Sequence, residues 1–254
     1  MINAVRSEWT KLFTTRTWIG LLLGACVMAG GFAALYTGLA GQEQNGQPGI
    51  PPVGTQEYET LALSAAASTS VLLLIHGVIG MTQEYRHRTA TPTFLTEPRR
   101  GHVIVAKLIA YALVTVPFAV LILAVNLLVV LVYAGARGAA PALSSENLKT
   151  LGASGLVLVV FAVIGVGVGA LLRNQVAAIV ASLVYLYVIE PIVASIGVLR
   201  GAYKWLPGGA ARAITSNFQA PELLQPWQGA LLLLGYGLLA AVLGTFLAVR
   251  RDIV

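Results

Sequence analysis

The chain has 254 residues, of which 57% are apolar and only 10% charged, with a formal net charge of +6. A water-soluble domain carries about 25% charged residues, so a fold of this composition could not cover itself in water, and its solvent is read as a bilayer. The basic excess lies in short segments beside apolar runs, which points to a membrane surface and not to nucleic acid.

From the N-terminus, Val5, Trp9, Leu12 and Phe13 fall at i, i+4, i+7 and i+8, one face of a helix. With Arg6, Lys11 and Arg16 elsewhere, residues 1–16 are expected to form a helix lying on the inner leaflet, anchored by Trp9, Leu12 and Phe13, against the simpler alternative of a frayed leader. The next apolar run is longer than the apolar core of a cleaved signal peptide and reads as a retained anchor. It holds the single cysteine, Cys26, so the sequence builds neither an intrachain disulfide nor a cysteine metal cluster.

About 20 mostly apolar residues cross a hydrocarbon core of roughly 30 Å. Six segments meet that length: Thr17 to Ala40, Thr60 to Thr82, Ala106 to Tyr133, Leu151 to Leu172, Val176 to Ser195 and Gln228 to Val249. They are apolar on all faces, whereas barrel strands alternate, so the fold class is all-α: a single polytopic membrane domain over 1–254. Between the spans, Gly41 to Pro52 and Ala134 to Thr150 read as simple solvated turns. The connection from Gln83 to Val105 is longer, charged and aromatic. Residues 196–227 hold Tyr203, Trp205, Leu206, Phe218 and Trp227 among glycine and proline. That segment is either short helices at or dipping into the outer interface, or an ordinary capped loop.

The fourth span carries Gly165, Gly167 and Ala170 in a G-x-G-x-x-A pattern, with Glu190 about 20 residues on. A phosphate-binding turn needs a strand before it and a solvated helix N-terminus, and these glycines lie inside an apolar helix. Gly165 and Gly169 are therefore expected as a small-residue strip that admits a neighbouring helix. In the fifth span Glu190 precedes Pro191, which withholds a backbone donor and kinks a helix. Glu190 is either an intramembrane polar site facing a route or a subunit interface, or an acid reaching water at the outer end of its helix. Lys149-Thr150 follows Leu148, so there is no phosphate loop; His76, His87 and His102 share no metal-ligand spacing, and no Ser–His–acid grouping occurs.

Six crossings put both termini on one side. Arg6, Lys11, Arg16, Arg86, Arg88, Arg99, Arg100, Lys107, Arg173, Arg250 and Arg251 lie on that side, and Arg137, Lys149, Arg200, Lys204 and Arg212 on the other. The positive-inside rule makes the first side cytoplasmic.

The stretch Glu84-Tyr85-Arg86-His87-Arg88-Thr89-Ala90-Thr91-Pro92-Thr93-Phe94-Leu95-Thr96-Glu97-Pro98-Arg99-Arg100 resembles the segment after the second span in permeases of the type-two ATP-binding-cassette exporters. The leader Ser7-Glu8-Trp9-Thr10-Lys11-Leu12, the pair Glu190-Pro191 and the pair Leu206-Pro207 are similar to theirs, as are length and span order, with the actinobacterial members nearest. Arg88 stands where the family often has glycine.

The resemblance implies a multi-pass protein of the bacterial cytoplasmic membrane that is not catalytic by itself. It implies two copies of a separate ATPase subunit carrying ATP and magnesium, a second permease copy or a similar permease, membrane lipids as surroundings and no nucleic acid. It also implies that residues 83–105 form a cytoplasmic coupling helix contacting the ATPase through Glu84, Tyr85, Arg86, Arg88, Phe94, Leu95, Pro98, Arg99 and Arg100. Aromatic anchors and arginines suit such a contact; an ordinary basic loop on lipid headgroups is the plainer alternative. Two other functions stay open from residues alone, a non-transporting membrane sensor or assembly subunit and an ion-coupled carrier.

Overall fold

Continuous apolar runs leave the backbone no partner but itself, and helices result. The structure is a computed structural model and describes residues 2–42, 49–86, 100–215 and 223–250, with no strand among them. Six helices among the described residues are long and apolar enough to cross a membrane: Thr17–Leu39, Gln56–Arg86, Gly101–Ala136, Ser145–Leu172, Gln175–Ser195 and Pro226–Phe246. A further helix, Ile2–Thr14, precedes them.

The helices run past the expected apolar limits because polar residues close their ends in water. The Thr55 side chain caps the second span by accepting from the Tyr58 N–H, Ser144 caps the fourth from Asn147, and Asn174 caps the fifth from Ala177. The third helix, Arg100–Ala136, has 37 residues and is about 55 Å long, so it projects well beyond a hydrocarbon core.

Spans two, four and six run parallel, with the fourth in the middle. Its glycines divide between the two neighbours. A Cβ on Gly165 would lie 2.0 Å from the Leu74 carbonyl oxygen, and one on Gly169 2.9 Å from the Met81 Cβ. Gly77 answers from the second span, where an added Cβ would meet the Ala162 oxygen at 2.1 Å. Gly167 points the other way, against Ala240 of the sixth span, and Gly244 there meets Ala170. Backbone-to-backbone approach of this kind takes the place of a hydrophobic drive that lipid cannot supply.

The first span packs on the third, and the N-terminal helix also lies on the third. Outward faces are apolar, with Val27 75% exposed and Val176 72% exposed; contiguous apolar surface of that extent suits lipid and not water.

Two interruptions in the spans have chemical causes. The second span passes through a 3₁₀ turn, Ala65–Thr69, and the Asn126 amide of the third span donates to the Ala62 and Leu63 carbonyls just before it at 3.2 Å each. The fifth span widens into a π turn, Tyr185–Ile189, in which the Glu190 N–H reaches back to the Tyr185 carbonyl. This wide turn absorbs the donor that Pro191 withholds.

The segment from Ala134 to Thr150, expected as a simple solvated turn, is bound into the fold. Arg137 donates to the carbonyls of Thr37 and Ala40, and buried Asn147 donates to Glu59 and accepts from Gln56 at 3.0 Å. Beneath them the Thr37 and Tyr58 hydroxyls meet at 2.6 Å. Among the described residues of 196–227 are two short helices, Arg200–Tyr203 and Pro207–Thr215, the second packed on the sixth and fourth spans.

Candidate functional site

Two polar constructions stand out at opposite ends of this apolar bundle. The first joins the N-terminal helix to the facing ends of the second and third spans. Lys107 is fully buried and donates to Glu8 and, at 3.3 Å, to Glu84. Lys11 donates to the same two carboxylates at 2.8 Å each. Two ammonium groups and two carboxylates thus balance in a place where any one of them alone would cost several kcal/mol to bury. Burial works to lower the Lys11 pKa, but the hydrogen bonds and charges of Glu8 and Glu84 outweigh it and hold this ammonium above the usual lysine value.

The N-terminal helix meets the bundle through Glu8 and Leu12, both buried, while Trp9 and Phe13 are each 40% exposed. The face read from the sequence is therefore split. Leu12 packs inward, and the Trp9 and Phe13 rings meet at a tilt of 45° with centres 5.3 Å apart, Trp18 lying edge-on beyond Phe13.

Of the residues expected to couple to an ATPase, Glu84, Tyr85 and Arg86 form the last turn of the helix Ser70–Arg86. Glu84 turns into the quartet and is 5% exposed, so it acts on its surroundings through Lys11 and Lys107. Tyr85 lies under the Arg173 guanidinium, 5.9 Å from the ring centre, and Arg86 donates to Gln175 at 3.5 Å. The end of the second span is thereby tied to the turn between the fourth and fifth. Arg100 opens the third helix. Arg88, Phe94, Leu95, Pro98 and Arg99 lie outside the described residues.

At the other end, Glu190 is 4% exposed and its carboxylate accepts from the Gly208 N–H at 3.0 Å and from the Tyr185 hydroxyl. It therefore fastens the helix Pro207–Thr215 to the fifth span. Arg212 hydrogen-bonds Tyr203, whose phenol is pushed above its ordinary pKa by burial in spite of that guanidinium. The Tyr236 hydroxyl donates to the Trp205 carbonyl at 2.5 Å, tying the same segment to the sixth span. Beside Glu190 lies a cavity of about 750 Å³ walled by the first, second, fourth and fifth spans and by the two short helices that follow the fifth.

Sequence reasoning missed Glu8, Lys107, Asn126 and Asn147 as buried partners. The only local signal was Glu8 and Lys11 at i, i+3; the other pairings cross helices. No group of three His, Cys, Asp or Glu side chains able to hold a metal occurs among the described residues. His76 is buried against Tyr111 and Phe118, with ring centres at 5.0 and 5.6 Å.

The sequence model of a family described as ABC-2 family transporter protein matches residues 4–189, from the N-terminal helix to the end of the π turn. No curated protein matches the chain.

Proposed function

From the premise that the chain belongs to the ABC-2 transporter family, we propose that it is the permease half of an exporter moving amphipathic or lipid-like solutes. Membership makes it a multi-pass membrane subunit of an ATP-binding-cassette transporter, a class that works with a separate ATPase subunit. The finer reading is that two permeases and two ATPase subunits assemble in the bacterial cytoplasmic membrane, with both permease termini in the cytosol. ATP and magnesium bind to the partner. The permease contributes no catalytic group; it supplies the moving walls.

The observation that carries this reading is the quartet of Glu8, Lys11, Glu84 and Lys107. It grips both ends of segment 87–99 and the N-terminal helix together, so a push on that segment reaches the second and third spans as one unit. Reversing a two-state population from 1:99 to 99:1 takes about 5.5 kcal/mol of differential binding. Breaking one buried ion pair costs about 3–5 kcal/mol, and moving the quartet meant to transmit the push would break more than one. Nucleotide must bind the two arrangements of the ATPase pair with different affinity for any of this to occur.

The test is co-expression with a candidate ATP-binding-cassette ATPase subunit from the same genome, followed by purification and ATP hydrolysis in lipid. The partner is expected to copurify, and Phe94→Ala with Leu95→Ala to remove it or to abolish solute-stimulated hydrolysis while membrane insertion is unchanged. Full association and stimulation in that variant would overturn the coupling assignment.

A further inference from the structure

The N-terminal helix Ile2–Thr14 turns two unlike faces to its surroundings. At about 100° per residue, Arg6, Trp9 and Phe13 fall within about 60° of one another, while Glu8 and Leu12 stand about 200° and 240° round from Arg6. Glu8 and Leu12 are buried against the bundle, and Arg6, Trp9 and Phe13 are exposed. The Trp9 and Phe13 rings are in contact, and Trp18 meets Phe13 with ring centres 5.1 Å apart. Arg6 lies three residues before this pair of rings and Arg16, also exposed, three residues after it. A guanidinium thus stands toward each end of an aromatic strip.

Glu8, the sole acid of this helix, is committed to Lys11 and Lys107. Neither Arg6 nor Arg16 makes an ion pair or a side-chain hydrogen bond among the described residues. Over the whole sequence this end carries eleven basic residues against four acidic ones, Glu8, Glu84, Glu97 and Asp252, so pairing Glu97 and Asp252 with two of the basic residues still leaves an excess of positive charge. The first span begins at Thr17, four residues past Phe13. The rings therefore lie where the chain enters hydrocarbon, the depth that tryptophan favours in a bilayer, and a soluble partner would have to displace headgroups to reach them. Aromatic rings by themselves fit any lipid. Guanidiniums beside them match phosphate oxygens with a planar fork of donors, and favour headgroups of net negative charge over zwitterionic ones, whose choline returns a like charge.

We propose that this face is a docking surface for anionic phospholipid, with headgroup phosphates at Arg6 and Arg16 and acyl chains against Trp9 and Phe13. The opposite face of the same helix holds Glu8 and Lys11 in the quartet, so lipid charge bears on the second and third spans through this one helix. The inference needs only that the chain is embedded in a membrane; neither the ATPase nor the transport step enters it.

The experiment reconstitutes the full chain in bilayers of phosphatidylcholine and phosphatidylglycerol at equal mole fraction, with dibrominated acyl chains on one lipid or on the other. Bromine quenches a tryptophan only in near contact, and the Trp9 signal is the difference between wild type and Trp9→Phe. Brominated phosphatidylglycerol is expected to quench Trp9 more strongly, with a relative association constant of about 5 to 30, the range for one or two arginines at an anionic surface. Arg6→Gln with Arg16→Gln is expected to bring that constant to about 1. In wild type, 1 M salt shortens the Debye length to about 3 Å and is expected to lower the constant at least about threefold, an arm that holds even if the double variant fails to insert. Equal quenching by the two lipids in wild type would overturn the charge preference. A preference unchanged in the double variant or in 1 M salt would overturn the assignment to these two arginines. No quenching of Trp9 by either lipid would mean that something other than lipid, such as a protein partner, covers the rings, and would sink the proposal. Because the ATPase is absent throughout, failure here leaves the coupling result standing, and failure of coupling leaves this one.

Discussion

At the scale of single residues the decisive fact is a lysine with no exposure to solvent. Lys107 is neutralised by Glu8 and Glu84, and removing it strands both carboxylates with only Lys11 between them. Lys107→Met is therefore expected to cost about 3–5 kcal/mol, read as a loss of unfolding free energy in detergent. Lys11 is 35% exposed at its side chain, so water answers part of its loss. Lys11→Ala should cost clearly less, about 1 kcal/mol. Equal costs for the two would mean that the quartet does not share its charge as its geometry indicates. Adding Glu8→Gln to Lys107→Met should recover part of the loss, because it removes one of the stranded charges. The same geometry sets the effect of Glu84→Ala. Glu84 faces inward, so its loss would loosen the N-terminal helix and the third span together.

At the scale of elements, the fourth span is held by absent side chains. Gly165→Ala and Gly77→Ala each drive a methyl group to within 2.0–2.1 Å of a backbone oxygen, which no rotamer change relieves. Each is expected to destabilise by about 3 kcal/mol or more, the upper end of overpacking costs, seen as a fall in melting temperature of the purified protein. Gly152→Ala, in the same helix with open space around it, should be neutral or slightly stabilising, since alanine favours a helix by about 1 kcal/mol over glycine. A fall of similar size in Gly152→Ala would remove the packing explanation. The i, i+4 spacing made Gly165 and Gly169 legible as one strip. Gly167 lies about 200° around the helix from Gly165, and its partner at Ala240 could not be read because the sixth span offers small residues on more than one face.

At the scale of the whole molecule, the spans alternate so that Arg86, Lys107 and Arg173 gather at the end that holds the N-terminal helix, while Arg137, Arg200 and Arg212 stand at the other. The excess of basic residues at the first end predicts that it faces the cytosol. In a Cys26→Ser background, a membrane-impermeant maleimide applied to whole cells should modify Gly138→Cys and spare Thr14→Cys until the cells are opened. The reverse pattern would invert the orientation and, with it, the side from which an ATPase could approach. Segment 83–105, the resemblance's coupling segment, was legible as a charged and aromatic stretch between two spans. Its neighbours were not, because what Tyr85 and Arg86 touch depends on where the turn at Arg173 returns.

The sequence by itself determined the number, order and helical nature of the spans, since a backbone in hydrocarbon has to bond within its own segment and about 20 apolar residues are one crossing. It also determined that some small residues must admit a neighbour and that an acid sits before a proline in the fifth span. Only the tertiary structure decided which charges meet. Glu8 and Lys107 lie 99 residues apart, and Glu84 meets Lys11 across 73. Their meeting depends on the rotation and axial offset of three helices, which an apolar run that is uniform on every face does not encode. The same holds for Glu190, whose partner at Gly208 is reached only after the chain leaves the fifth span and folds back on it.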